Sequence, residues 1–167
     1  MKSIKYIALS AILTFSAISA VVYTSCKKDA CKDVTCLHGG VCSDGNCITC
    51  DIGYEGANCA TLSRAKFIGT YTGSEICTTG TDNYTVTISE NSSNDLFLTY
   101  TNLYNESITA TCTMTGSTAF SFAGTQVVGG TPVTFSGTAS LVGSTITVTY
   151  TITNSSTSNT CTFTGNK

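Results

Sequence analysis

Ile146-Thr147-Val148-Thr149-Tyr150-Thr151-Ile152 alternates apolar and polar residues, with threonine at every second position. Period-two alternation sends successive side chains to opposite faces of an extended chain, so one face of this segment is dry and the other wet. The same phase recurs at Tyr84, Val86 and Ile88, at Ile108, Ala110, Cys112 and Met114, and at Val133, Phe135, Ala139 and Leu141. Threonine, β-branched and polar, dominates the alternate positions and suits a solvated sheet face. Turn-forming clusters at 79–82, 91–95, 105–106, 115–117, 129–130, 143–144 and 154–158 cut the region from Phe67 onward into about eight short strands. No helical periodicity separates them. The expected fold class is mainly β, an antiparallel eight-stranded meander forming either an up-and-down barrel or a two-sheet sandwich.

Closure into a barrel makes a specific demand. The first and last strands of an eight-stranded meander must pair antiparallel, bringing the end of the first, near Cys77, beside the start of the last, near Cys161. Cys77 shares parity with Phe67 and Tyr71, and Cys161 with Phe163, so both point inward and a Cys77–Cys161 disulfide is expected. Cys112 is then an unpaired thiol on the inward face of its strand. With no histidine in this domain to activate it, it reads as a buried small hydrophobe rather than a nucleophile.

The other cysteines are arranged differently. Of ten in the 167-residue chain, Cys31, Cys36, Cys42, Cys47, Cys50 and Cys59 crowd into one short stretch. Such density points to an oxidising compartment. The net charge is only −2, but seven of the eight basic residues lie at or before Lys66. Beyond it Glu75, Asp82, Glu90, Asp95 and Glu106 face a single Lys167, a balance that repels phosphate backbones and argues against nucleic acid as a partner.

The cluster reads C-x4-C-x5-C-x4-C-x2-C-x8-C, with Gly39-Gly40 before the third cysteine and Gly53-Tyr54-Glu55-Gly56 before the sixth. In these features it resembles EGF-like domains. The resemblance implies the pairing Cys31–Cys42, Cys36–Cys47 and Cys50–Cys59. It departs from the family in placing two residues, Ile48 and Thr49, between the fourth and fifth cysteines, where an extra residue would form a bulge. So short a module cannot bury enough apolar surface to offset its chain entropy, and covalent links must hold it. Asp44-Gly45 reads as a hairpin turn. Cys47 and Cys50 form a C-x2-C pair, but no second pair stands at finger spacing, so no metal is expected; a calcium site is disfavoured because only Asp29 precedes Cys31. His38, the chain's one histidine, has no partner residues and reads as solvent-facing.

Met1 to Ser25 reads as a signal peptide, with Lys2 and Lys5 followed by an apolar run from Ile7 to Val22. Tyr23-Thr24-Ser25-Cys26 resembles a bacterial lipobox, which implies fatty acylation of Cys26 and tethering to a membrane; Tyr23 stands where the family has an aliphatic residue. Lys27 directly after the anchor implies, by the same resemblance, an outer-membrane address, at the cell surface or on the periplasmic face. The expected organisation is a signal peptide over 1–25, a lipidated tether over 26–30, an EGF-like domain over 31–60 and an antiparallel β domain over 61–167.

The β domain's opening, Phe67 to Gly73, and its ending, Thr160 to Gly165, look like domains of Gram-negative surface lipoproteins; the Gly69-Thr70-Tyr71 start is also loosely similar to lipocalins. The leading functional expectation is a noncatalytic surface module for protein contact, adhesion or spacing, with a protein partner met through the EGF-like part. The alternative is a lipocalin-like carrier of a small apolar ligand, for which the small residues Gly69, Gly73, Ala110, Gly137 and Ala139 leave room. No catalytic residues and no cofactor are expected, since the acidic residues fall mostly at turns or strand ends and no nucleophile has a base.

Overall fold

The computed structural model describes residues 29–167. The expected signal peptide and the expected acylation site Cys26 lie outside the described residues.

Backbone pairing makes a small module first. Strands β1 (Val41–Ser43) and β2 (Asn46–Ile48) form a hairpin, and β3 (Tyr54–Glu55) pairs with β4 (Thr61–Leu62). The hairpin turns at Asp44-Gly45, both in the left-handed region at φ 49° and 84°. Thr49, one of the two residues between the fourth and fifth cysteines, takes φ 57°, which lets the chain turn from β2 into the next disulfide. Since Thr61 and Leu62 pair with Glu55 and Tyr54, the module's second sheet runs to Leu62.

A 3-10 helix, Ser63–Phe67, leads into eight longer strands: β5 (Gly69–Cys77), β6 (Gly80–Glu90), β7 (Phe97–Leu103), β8 (Ile108–Gly116), β9 (Ala119–Val128), β10 (Thr131–Val142), β11 (Thr145–Thr153) and β12 (Ser158–Asn166). Each pairs antiparallel with the next, and β12 returns to β5 to close the barrel. The expected meander is thus an up-and-down barrel and not a sandwich. Strands begin and end close to the expected breaks, although pairing runs further at three of them: Gly80 to Asp82 belong to β6, Thr115 and Gly116 to β8, and Ser158 to β12.

The alternating phase explains the interior. Ile146, Val148, Tyr150 and Ile152 are buried, as are Tyr84, Val86 and Ile88 and the inward residues of the other strands. Outward positions carry threonine, and cross-strand pairs such as Thr72 with Thr85 (3.1 Å) and Thr125 with Thr134 (3.3 Å) set hydroxyl against hydroxyl on the wet face. A barrel that spans a bilayer with its strands has the opposite polarity, apolar outside. Closure itself rests on the register Thr72 to Cys77 against Asn166 to Cys161, locked by the Cys77–Cys161 disulfide.

That crosslink spans a sequence separation of 84, so its loss restores much chain entropy to the unfolded state. Replacing both Cys77 and Cys161 by alanine is expected to cost about 4 kcal/mol in urea unfolding followed by circular dichroism, with the barrel still closed. A cost near zero would show that strand pairing alone sets the closure.

Candidate functional site

The two ends of the barrel differ. One end receives the 3-10 helix, which drops Phe67 inside against the edge of Phe120, ring centroids 5.1 Å apart. Tyr71 Oη donates to the Phe67 carbonyl at 2.9 Å. Beside it Arg64, 7% exposed, reaches into the β6–β7 loop, where Nη1 donates to the carbonyls of Asn94 (2.7 Å), Asn91 and Phe97 (both 3.3 Å), and Nη2 to Asp95. Ser63 N–H bonds the Gly53 carbonyl of the module at 2.8 Å, and Lys66 pairs with Glu55 at 2.6 Å. Module, helix and barrel floor are therefore fastened together. Lys167 closes the same end, donating to the Ile68 carbonyl at 2.9 Å and lying over the Tyr71 ring.

The opposite end is open and is formed by the β5–β6, β7–β8, β9–β10 and β11–β12 turns. Two recesses of about 250 and 280 Å³ share Tyr104 and Glu106 of the β7–β8 loop. The first has an apolar wall of Ile108, Val128, Val133 and Ile152; the second is bordered by Glu75, Asp82 and Glu106. No lysine or arginine lines either recess. Asn159, 6% exposed, organises the rim by donating to Thr79 Oγ1 (2.6 Å) and Tyr104 Oη (2.9 Å) while accepting from Thr78. Asn102 near the end of β7 and Tyr104, Asn105 and Ser107 of the β7–β8 loop take left-handed φ, a costly backbone that holds Tyr104 over the opening.

Beneath the rim lies the one acidic side chain buried among the described residues. Glu75 Oε1 accepts from Tyr84 Oη at 2.6 Å and from Tyr150 Oη. Burial, reinforced by the hydrogen bond to Glu75, pushes both phenols far above the ordinary tyrosine range. Tyr100 is buried with its hydroxyl unpartnered, and desolvation drives it up as well. Glu75 is the exception to the expectation that the acids sit mostly at turns or strand ends. Its phase with Tyr71 and Cys77 marks it as inward, and that parity is the signal in the sequence.

The structure joins Cys31 to Cys42, Cys36 to Cys47, Cys50 to Cys59 and Cys77 to Cys161. Cys112 is the free thiol among the described residues, buried in the core, and burial raises its pKa from 9.0 to about 12, which keeps it a thiol at neutral pH. Glu75, Cys77 and Cys161 converge with metal-like geometry, but both sulfurs are consumed in the disulfide. His38 is exposed, stacks on Tyr54 at 3.5 Å and meets the Cys59 carbonyl through Nδ1 at 2.8 Å. A carbonyl only accepts, so Nδ1 carries the proton.

The small residues expected to leave room do not. A Cβ on Gly137 would stand 2.4 Å from Tyr150 Cβ and 2.8 Å from Phe122; one on Gly73 would strike the Thr164 carbonyl at 2.0 Å. Ala110 and Ala139 are buried within the same core, and the space beside Gly69 is taken by Lys167. These residues admit aromatic rings and a neighbouring strand, and the two barrel recesses lie at the mouth.

No protein-family model matches the chain, and no curated protein matches it. Among solved structures, a crystal structure from Bacteroides fragilis described as a "putative outer membrane protein" is similar over 63% of this chain and 52% of its own, at 20% identity and a TM-score of 0.42. The chain thus spans about half the length of that protein.

Gly137→Ala is expected to destabilise the barrel by roughly 2 kcal/mol through overpacking. Gly116→Ala, with nothing near the added methyl, should shift the urea midpoint little; equal effects would refute a filled interior. Alkaline pH offers a second check. Tyr71 is raised from 10.0 to about 12 and Cys112 from 9.0 to about 12, so the folded chain retains protons that the unfolded chain releases. Stability should therefore fall from about pH 9 to 12, by ~1.4 kcal/mol per pH unit for each group whose ordinary pKa has been passed. Urea unfolding across that range measures the slope; a flat profile would contradict it.

Proposed function

We propose that this chain is an exported, noncatalytic display protein of the outer membrane, held by a fatty-acylated Cys26. In this reading the EGF-like module is a rigid pedestal and the open barrel mouth is the surface offered to partners. The observation that carries it is the Arg64 clamp: one guanidinium holding two carbonyls of the β6–β7 loop and that of Phe97 at the start of β7 binds the pedestal end to the barrel floor and leaves the mouth at the opposite pole. The threonine-clad exterior supports an anchor outside the barrel, because strands with a polar outer face do not enter a bilayer. The lipobox resemblance at Tyr23-Thr24-Ser25-Cys26 supplies that anchor, and two or three acyl chains suffice for persistent attachment.

A second reading, a carrier, is favoured by the recesses. Their apolar wall and acidic border suit a small ligand with an apolar body and a neutral or cationic polar group, which the unpaired acids would attract. Native mass spectrometry of protein taken from its own membrane distinguishes the two: a copurifying small molecule supports carriage, and a bare chain supports contact.

Intact mass of the native protein tests the anchor. The expected species lacks residues 1–25 and carries acyl groups on Cys26, while protease added to whole cells cuts the barrel turns if the mouth faces outward. An unacylated mass would overturn the proposal.

A further inference from the structure

Of the seven large apolar side chains standing exposed among the described residues, four belong to the small module: Leu37, Val41, Ile48 and Ile52, at 44%, 60%, 49% and 57%. Single exposed apolar residues are ordinary, but contiguous ones mark a contact surface. Val41 and Ile48 are cross-strand partners in the β1–β2 hairpin. Ile48 and Ile52 line one shallow groove, bordered also by Gly116 and Ser117 where β8 ends at the barrel floor. The three therefore form a patch.

Its place relative to the tether gives the patch a partner. The Cys31–Cys42 disulfide brings the root of the tether, Cys31, within 5.8 Å of Cys42 between Cα atoms, and Cys42 adjoins Val41. From Cys26 to Cys31 the chain advances five residues, at most ~18 Å when fully extended. A lipid carried by Cys26 would therefore be tethered within that reach of the module's root, on either face of the hairpin. Lys27 and Lys28 flank the anchor and favour anionic headgroups, while Glu75, Asp82 and Glu106 at the far mouth disfavour them. Asp44 and Asp51 lie near the patch in sequence, so apolar contact rather than charge supplies the attraction there.

We propose that the Val41, Ile48 and Ile52 face of the module rests on the bilayer, its side chains entering the headgroup and upper acyl region. The inference depends on acylation of Cys26. It makes the pedestal an interfacial foot that fixes the barrel's orientation, in place of a spacer holding the domain clear of the lipid.

The test reconstitutes the native acylated protein in phosphatidylethanolamine and phosphatidylglycerol vesicles containing a photoactivatable phospholipid, then maps adducts by peptide mass spectrometry. Adducts are expected on residues 37–52 and absent from the mouth turns at 104–107 and 154–157. The acylated V41S/I48S/I52S variant, whose substitutions are all exposed and whose fold a disulfide map verifies, should lose adducts on the module by on the order of tenfold. Adducts confined to residues 26–30 would overturn this inference and leave the anchor standing. An unacylated native chain would remove the anchor and this inference with it. Crosslinks joining residues 41–52 of two copies, without lipid adducts there, would assign the patch to self-association and overturn the bilayer contact.

Discussion

Pairing of β12 with β5 is the contact on which the remaining architecture depends. An open eight-stranded sheet would present two unsatisfied edges and leave its apolar face half covered. Closure removes both edges and turns that face into an interior. The terminal strands are distant in sequence, so the loop they close carries a large entropic cost, which the Cys77–Cys161 crosslink largely shifts onto the unfolded state. Once that pairing is set, inward parity follows around the ring.

How the interior is then filled decides what the barrel can do. Aromatic rings dominate it: Phe122 packs near Tyr100, Phe135 and Tyr150, and Phe163 near Tyr84. Gly137 and Gly124 lack side chains because rings occupy the positions their Cβ atoms would need. Close packing of this kind fills the barrel at mid-height and leaves the recesses at the rim, where turns rather than strands set the shape. Glu75 is the exception within the packed zone, an acid accommodated because two phenols donate to it.

The ends are unlike because the chain enters at only one of them. The 3-10 helix lies there with Phe67 as plug, Arg64 as clamp and Lys167 as latch, gathering the barrel's cationic groups at the module end. The far end keeps acids without counter-charges. Such a molecule has a direction, with the module at one pole and the open mouth at the other.

Much of this was legible before any coordinates. Period-two alternation identified the strands and their inward residues, glycine and asparagine clusters located most of the turns, and parity plus meander topology led to Cys77 and Cys161. These features are local or follow from closure, so the residues themselves determine them. Barrel rather than sandwich was decided only by the tertiary structure, since both satisfy the same alternation. The same holds for the glycines, whose meaning depends on which rings arrive from other strands, and for Arg64, whose loop carbonyls lie about thirty residues away. Glu75 falls between these cases. Its parity with Tyr71 and Cys77 carries an inward signal that is easily passed over among the other acids, and only the fold brought Tyr84 and Tyr150 to the carboxyl, because a buried polar group is made tolerable by partners that sequence distance conceals.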